Sequence, residues 1–181
     1  PLPLPKFTTT PEVVEPSVIG YTKSEVDVLP ILSFNAFFTL ATLLTKFTES
    51  QSGIYWMIPT IQSAHESRYG NSKLARLYLN LFGIKPNEKW LAEGKPIVTM
   101  KTTEFIKGKS REVNESFKIY ASWLESFQDW SWLMTRPAYA AAYPLLKNPQ
   151  KIEDAFIVMG RVFATDPDYA QKLIRIYRSI R

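Results

Sequence analysis

Between Ile97 and Tyr120 the chain changes its pattern, and that change restricts the fold more than any other feature. Residues 97–106 (IVTMKTTEFI) alternate and are rich in Thr, Val and Ile, as strands are. Lys107-Gly108-Lys109 predicts a hairpin turn, and residues 110–120 return as a second strand. The flanking sequence has helical spacing. Ahead of the hairpin, a first helix is expected over Pro30–Thr48, apolar on most sides and so largely buried. A second spans Ile54–Arg68, with Ile54, Met57, Ile58, Ile61 and Ala64 on one face and Gly70 ending it. A short third covers Ser72–Leu79. Beyond the hairpin, Ser122-x-x-Glu125 reads as a capping box. Asn148-Pro149 and Asp166-Pro167 read as cap-plus-proline starts of helices over 150–163 and 167–179. The expectation is a mainly α (α+β) domain, with a helical lobe, a small β-hairpin lobe and a cleft between them.

Residues 1–16 (PLPLPKFTTTPEVVEP) hold five prolines without helical periodicity and read as an extended arm or linker; residues 17–181 read as one domain. No cysteine is present, so disulfide and thiolate chemistry are excluded, and the single histidine, His65, is too little for a histidine-built zinc site. No cofactor is expected. The chemistry is left to carboxylates, hydroxyls and amides. The net charge of +5, from 22 Lys+Arg against 17 Asp+Glu, suits a polyanionic partner. The basic residues are scattered rather than blocked, which argues against nucleic acid. The longest apolar run, Ile31–Leu44, is too short and too polar to span a membrane. With no leader visible and Pro1 first, the chain is read as a mature or trimmed product acting outside the cytoplasm (periplasm, wall or secreted), as a monomer.

Glu66 stands near the end of the second predicted helix. The negative end of the helix dipole and apolar neighbours both disfavour its charged form, as a general acid near neutral pH requires. Glu104 lies on the first strand beside the turn. A carboxylate there, facing one on a helix, would supply the second group of a glycosidase pair; Glu112 and Glu115 on the return strand compete for that role. Lys101 and Lys107 offer Glu104 a plain ion pair instead. Of the aromatic residues, Trp90, Tyr120 and Tyr139 are candidate sugar platforms, while Trp123, Trp130 and Trp132, at helical spacing, read as packing residues. His65 reads as a neighbour of the site rather than a ligand.

The stretch Ser63-Ala64-His65-Glu66-Ser67-Arg68-Tyr69-Gly70-Asn71-Ser72 resembles the A-x-E-S-x-W-G-x-S signature of bacterial peptidoglycan N-acetylglucosaminidases, glycoside hydrolase family 73. Asn80-Leu81-Phe82-Gly83-Ile84-Lys85 is similar to the family's N-L-F-G-I-K, and Thr103-Glu104-Phe105 with Gly108 to its T-x-E-Y/F…G. Phe117-Lys118-Ile119-Tyr120 resembles F-R-x-Y, Glu125-Ser126-Phe127-Gln128-Asp129 resembles E-S-x-x-D, and Ala164-Thr165-Asp166-Pro167-Asp168-Tyr169-Ala170 resembles A-T-D-P-x-Y-A. Each block alone is weak; six in order across residues 53–180 are specific. The resemblance implies a lysozyme-like fold and hydrolysis of the β-1,4 bond after N-acetylglucosamine in peptidoglycan. It places Glu66 on the catalytic acid and Glu104 on the position of the second carboxylate, a role the substrate's acetamido group can take instead.

Two departures stand out. The family's tryptophan before the glycine is Tyr69 here, which can still stack on a sugar. The tyrosine expected just before A-T-D-P, near the active site, is Phe163, which packs but cannot hydrogen-bond. Two further readings follow: a lytic transglycosylase on the same fold, and a wall-binding or assembly module with weakened catalysis.

Overall fold

The computed structural model describes residues 31–106 and 109–181, apart from the side chains of 103–110; residues 1–30, including the proline-rich stretch, and Lys107-Gly108 lie outside the described residues. Helix α1 covers Phe34–Ser52. It starts later than its apolar run because the Ser33 Oγ caps it, accepting from the Ala36 N–H at 3.2 Å. It stops at Gly53, whose φ of 71° only glycine adopts cheaply. Phe37, Ala41, Thr45 and Thr48 form its buried side. The expectation of a largely buried helix fails on the other side, where Leu40, Leu43 and Phe47 are exposed.

Helix α2, Met57–Glu66, is the central element: Ile58 through Ala64 are all buried. Helix α3 (Lys73–Tyr78) is capped by Ser72 and α4 (Glu88–Ala92) by Asn87. Strands β1 (Ile97–Ile106) and β2 (Lys109–Lys118) pair antiparallel, with Ile97 opposite Lys118 and Ile106 opposite Lys109. At the base of the ribbon Val98 faces Phe117, and both are buried. Farther out, Lys101, Arg111, Glu112 and Asn114 are exposed.

Helix α5 (Trp123–Leu133) opens on the predicted box: the Ser122 Oγ accepts from the Glu125 N–H at 3.1 Å. The return bond goes one residue further out, from the Ala121 N–H to Glu125 Oε2 at 2.7 Å. A 3-10 turn (Pro137–Tyr139) and the short α6 (Tyr143–Leu146) lead to α7 (Ile152–Phe163) and α8 (Tyr169–Ser179). Asn148 and Asp166 do not cap these last helices. Each carboxamide or carboxylate oxygen instead accepts the N–H two residues on, from Gln150 and Asp168, both at 2.9 Å. These are Asx turns, which the following prolines favour, and the helices begin after them. The core is one cluster around α2, built from Phe37, Phe82, Phe127, Trp130, Phe156 and Met159. Phe82 stacks on Trp130 with centroids 5.5 Å apart. No helix among the described residues is long and apolar enough to cross a membrane.

Candidate active site

The end of α2 is knotted in place by the residues after Glu66. The Ser67 Oγ donates to the Ser63 carbonyl at 2.5 Å and accepts from the Gly70 N–H at 2.7 Å. Arg68, Tyr69 and Gly70 all have positive φ (52°, 56° and 76°), a strained run that two non-glycine residues must tolerate. Gly70 admits no side chain, because a Cβ there would lie 2.7 Å from the Trp123 ring. Asn71 closes the turn with two bonds to the Leu32 backbone, at 2.8 and 3.0 Å. Tyr69 packs against Phe34, Phe37 and Phe38. Around Glu66 the signature is therefore a clamp that fixes where α2 ends.

Glu66 is half-buried, and its carboxyl Oε1 accepts a hydrogen bond from the Tyr169 hydroxyl. Burial raises its pKa from the usual 4.5 to about 7; the Tyr169 bond pulls the other way and is the smaller effect. A network behind this bond fixes the direction of every proton. The Trp130 indole can only donate, and does so to Gln62 Oε1 at 2.9 Å. The Gln62 amide must then present its NH2 to the Tyr169 oxygen, also at 2.9 Å. With that lone pair engaged, the Tyr169 O–H points to Glu66 Oε1. Oε1 is thus held as an acceptor, and the dissociable proton of Glu66 belongs on Oε2. Tyr169 itself is held protonated: burial, then the Glu66 charge, push its pKa well above its ordinary value.

Tyr169 and Gln62 are the residues that sequence reasoning missed. Tyr169 lay within a quoted block without a role, and Gln62 stands one turn before Glu66 on the same face of an apolar helix, a signal in itself. Phe163 stacks on Tyr169, with centroids 6.0 Å apart and planes 20° from parallel. Gly160 makes room for that ring, since a Cβ there would meet it at 3.1 Å. Tyr139 is buried close enough that its field opposes ionisation of Tyr169. His65 lies edge-on to Tyr169, at 5.5 Å. Burial and then Lys172 lower its pKa, so it is neutral at neutral pH.

Glu104 is opposite Arg111 in the ribbon, and its side chain lies outside the described residues. Glu115 pairs with Lys85 at 3.1 Å, and Glu112 is exposed. Trp90 and Tyr120 do not form open platforms. Both are buried, edge to face, at the base of the hairpin. The Tyr120 hydroxyl donates to Asp129 Oδ2 at 2.6 Å, and the buried Lys118 ammonium reaches the same oxygen at 2.9 Å while lying 4.6 Å over the Trp90 ring. Asn80 completes this anchor, donating to the carbonyls of Ile84 and Lys118. Trp132, expected to pack, is 41% exposed. No cluster of possible metal ligands occurs among the described residues.

The chain is similar to known proteins in both sequence and fold. Residues 45–181 match the glucosaminidase family, described as mannosyl-glycoprotein endo-beta-N-acetylglucosaminidase. The peptidoglycan hydrolase FlgJ of Escherichia coli is 32% identical over 81% of this chain and 46% of its own length. The exo-glucosaminidase LytG of Bacillus subtilis is 34% identical over 78% of this chain and 58% of its own length. The chain thus spans about half the length of the curated relatives it matches. In structure, the catalytic domain of the autolysin Auto from Listeria monocytogenes aligns with a TM-score of 0.66 and 26% identity, covering 86% of this chain and 90% of that one. A glycoside hydrolase domain of Salmonella typhimurium FlgJ aligns with a TM-score of 0.60 and 27% identity over 80% and 95%.

Proposed function

Since the chain belongs to the glucosaminidase family of glycoside hydrolases, we propose that it hydrolyses peptidoglycan glycan strands outside the cytoplasm, at the β-1,4 bond after N-acetylglucosamine. The observation that carries this reading is the Glu66 carboxyl, raised to about 7 and held through Oε1 by the Tyr169 hydroxyl. Near neutral pH a large share of Glu66 is protonated, and the proton on Oε2 is free to move to the glycosidic oxygen. As that proton transfers, the bond from the anomeric carbon to the leaving oxygen breaks. A water molecule then bonds to the anomeric carbon, and its proton passes to Glu104 or, where the acetamido group assists, back to the Glu66 carboxylate. Glu104 on the ribbon, or the substrate's acetamido group, assists that second half.

Glu66→Gln tests the assignment. General acid catalysis is worth roughly 10²–10⁴-fold, so the variant should lose at least about 10²-fold in release of reducing ends from purified sacculi. Native protein no faster than the variant would sink the reading. Native activity should fall as pH rises through about 7, where Glu66 gives up its proton. Mass spectrometry of the products should find reducing-end N-acetylglucosamine; anhydro-muramic ends would assign a lytic transglycosylase instead.

A further inference from the structure

At the end of α2 away from Glu66 the surface holds a cavity of about 340 Å³, between the C-terminal turn of α1, α5 and α6. Met57 begins α2 just beyond α1, and Glu66 lies nine residues further along, roughly 14 Å at the helical rise. The cavity therefore belongs to a different part of the molecule from the Glu66 carboxyl. Its lining combines two aromatic rings, Trp132 and Tyr143, with the amides of Gln51 and Gln128 and the hydroxyls of Ser131 and Thr135. The amides already hold one another at 3.2 Å, which sets their orientation. No carboxylate lines it among the described residues. A cation lies against each ring: Arg136 at 4.9 Å from the Trp132 centroid and Lys147 at 4.3 Å from that of Tyr143.

Rings flanked by amides and hydroxyls fit the alternating apolar and hydroxyl faces of a sugar, and rim cations fit a carboxylate on that sugar. We infer that this cavity is an accessory subsite for an amino-sugar strand whose lactyl carboxylates are free of peptide and so acidic, engaging a stretch of polymer away from the Glu66 carboxyl. The choice of polymer rests on the proposed function. The packing energy does not explain the exposure of Trp132, since a tryptophan in a soluble domain gains most by being covered. A subsite of this kind would keep the enzyme on an insoluble polymer between cleavages.

The indole N–H signals of the Glu66→Gln protein separate the two regions. Trp130 reports the cleft through Gln62 and Tyr169, and Trp132 reports the cavity. Titration with peptide-free glycan strands that retain their lactyl carboxylates should shift the Trp132 signal saturably. Trp132→Ala in the same background should weaken binding at least fivefold. Arg136→Ala with Lys147→Ala should weaken these strands at least fivefold and neutral chitotetraose less than twofold. A Trp132 signal that stays put while Trp130 moves overturns the subsite and leaves the cleft reading intact. If neither moves, both fail. Equal losses for charged and neutral strands overturn the acidic specificity.

Discussion

The two carboxylates singled out from the sequence live in unlike places. Glu66 ends a helix buried on every side, and its carboxyl is held by a hydroxyl whose own direction is set by an amide and an indole. Glu104 sits seven residues out along a two-stranded ribbon, roughly 23 Å from its base at the strand rise. An isolated hairpin is marginal in water, so this one depends on its anchor: Lys118, Tyr120 and Asp129, with Trp90 above. Glu66 is thus placed by packing, and Glu104 by the direction in which a ribbon leaves the body.

The sharpest way to break this contrast is to cut the anchor. Lys118→Met leaves Asp129 without its cation, and breaking a buried pair costs roughly 3–5 kcal/mol. Asp129 keeps some water, so the lower end is expected in urea unfolding. A loss below about 1 kcal/mol would mean the ribbon is held some other way.

The next effect tests the burial of Glu66. Its folded pKa of about 7 lies above the unfolded 4.5, so the folded state holds the extra proton between those values. Stability is full below 4.5, falls as pH rises, and is lowest above 7, by about 3 kcal/mol. Glu66→Gln should therefore match the native protein closely at pH 4 and exceed it at pH 8, and the difference in unfolding free energy should grow over that window. A pH-independent difference would place Glu66 in water.

Smaller still, Glu104→Gln should slow hydrolysis about 10–100-fold, or about 1.4–2.8 kcal/mol, less than Glu66→Gln. Equal losses would erase the distinction between the two regions. The smallest change is expected from Phe163→Tyr. Tyr169 already supplies the hydroxyl at Glu66, and Phe163 only stacks behind it. Turnover should stay within about threefold, under 1 kcal/mol; a larger gain would show that a second hydroxyl was wanting.

Much of this architecture is legible along the chain. The ribbon is visible from Ile97 because alternation is a local signal, and Ser122 marks a helix start because capping is local too. The starts of α7 and α8 misled for an equally local reason: Asn and Asp before proline make Asx turns as readily as caps. The apolar run of α1 gave no hint that Leu40, Leu43 and Phe47 stay outside, since composition does not say how many sides of a helix find partners. Trp90, Tyr120 and Trp132 went the wrong way round, because an aromatic residue serves equally well as core or as surface.

By itself the sequence determined the order of helices and ribbon, the family, and Glu66 as the carboxylate to watch. Those are properties of spacing and of ordered blocks. The tertiary structure alone decided what Glu66 is chemically. Its pKa comes from burial by residues distant in the chain, and its free oxygen from a relay joining positions 62, 66, 130 and 169. Desolvation and hydrogen-bond direction are sums over neighbours in space, and no reading along the chain contains them.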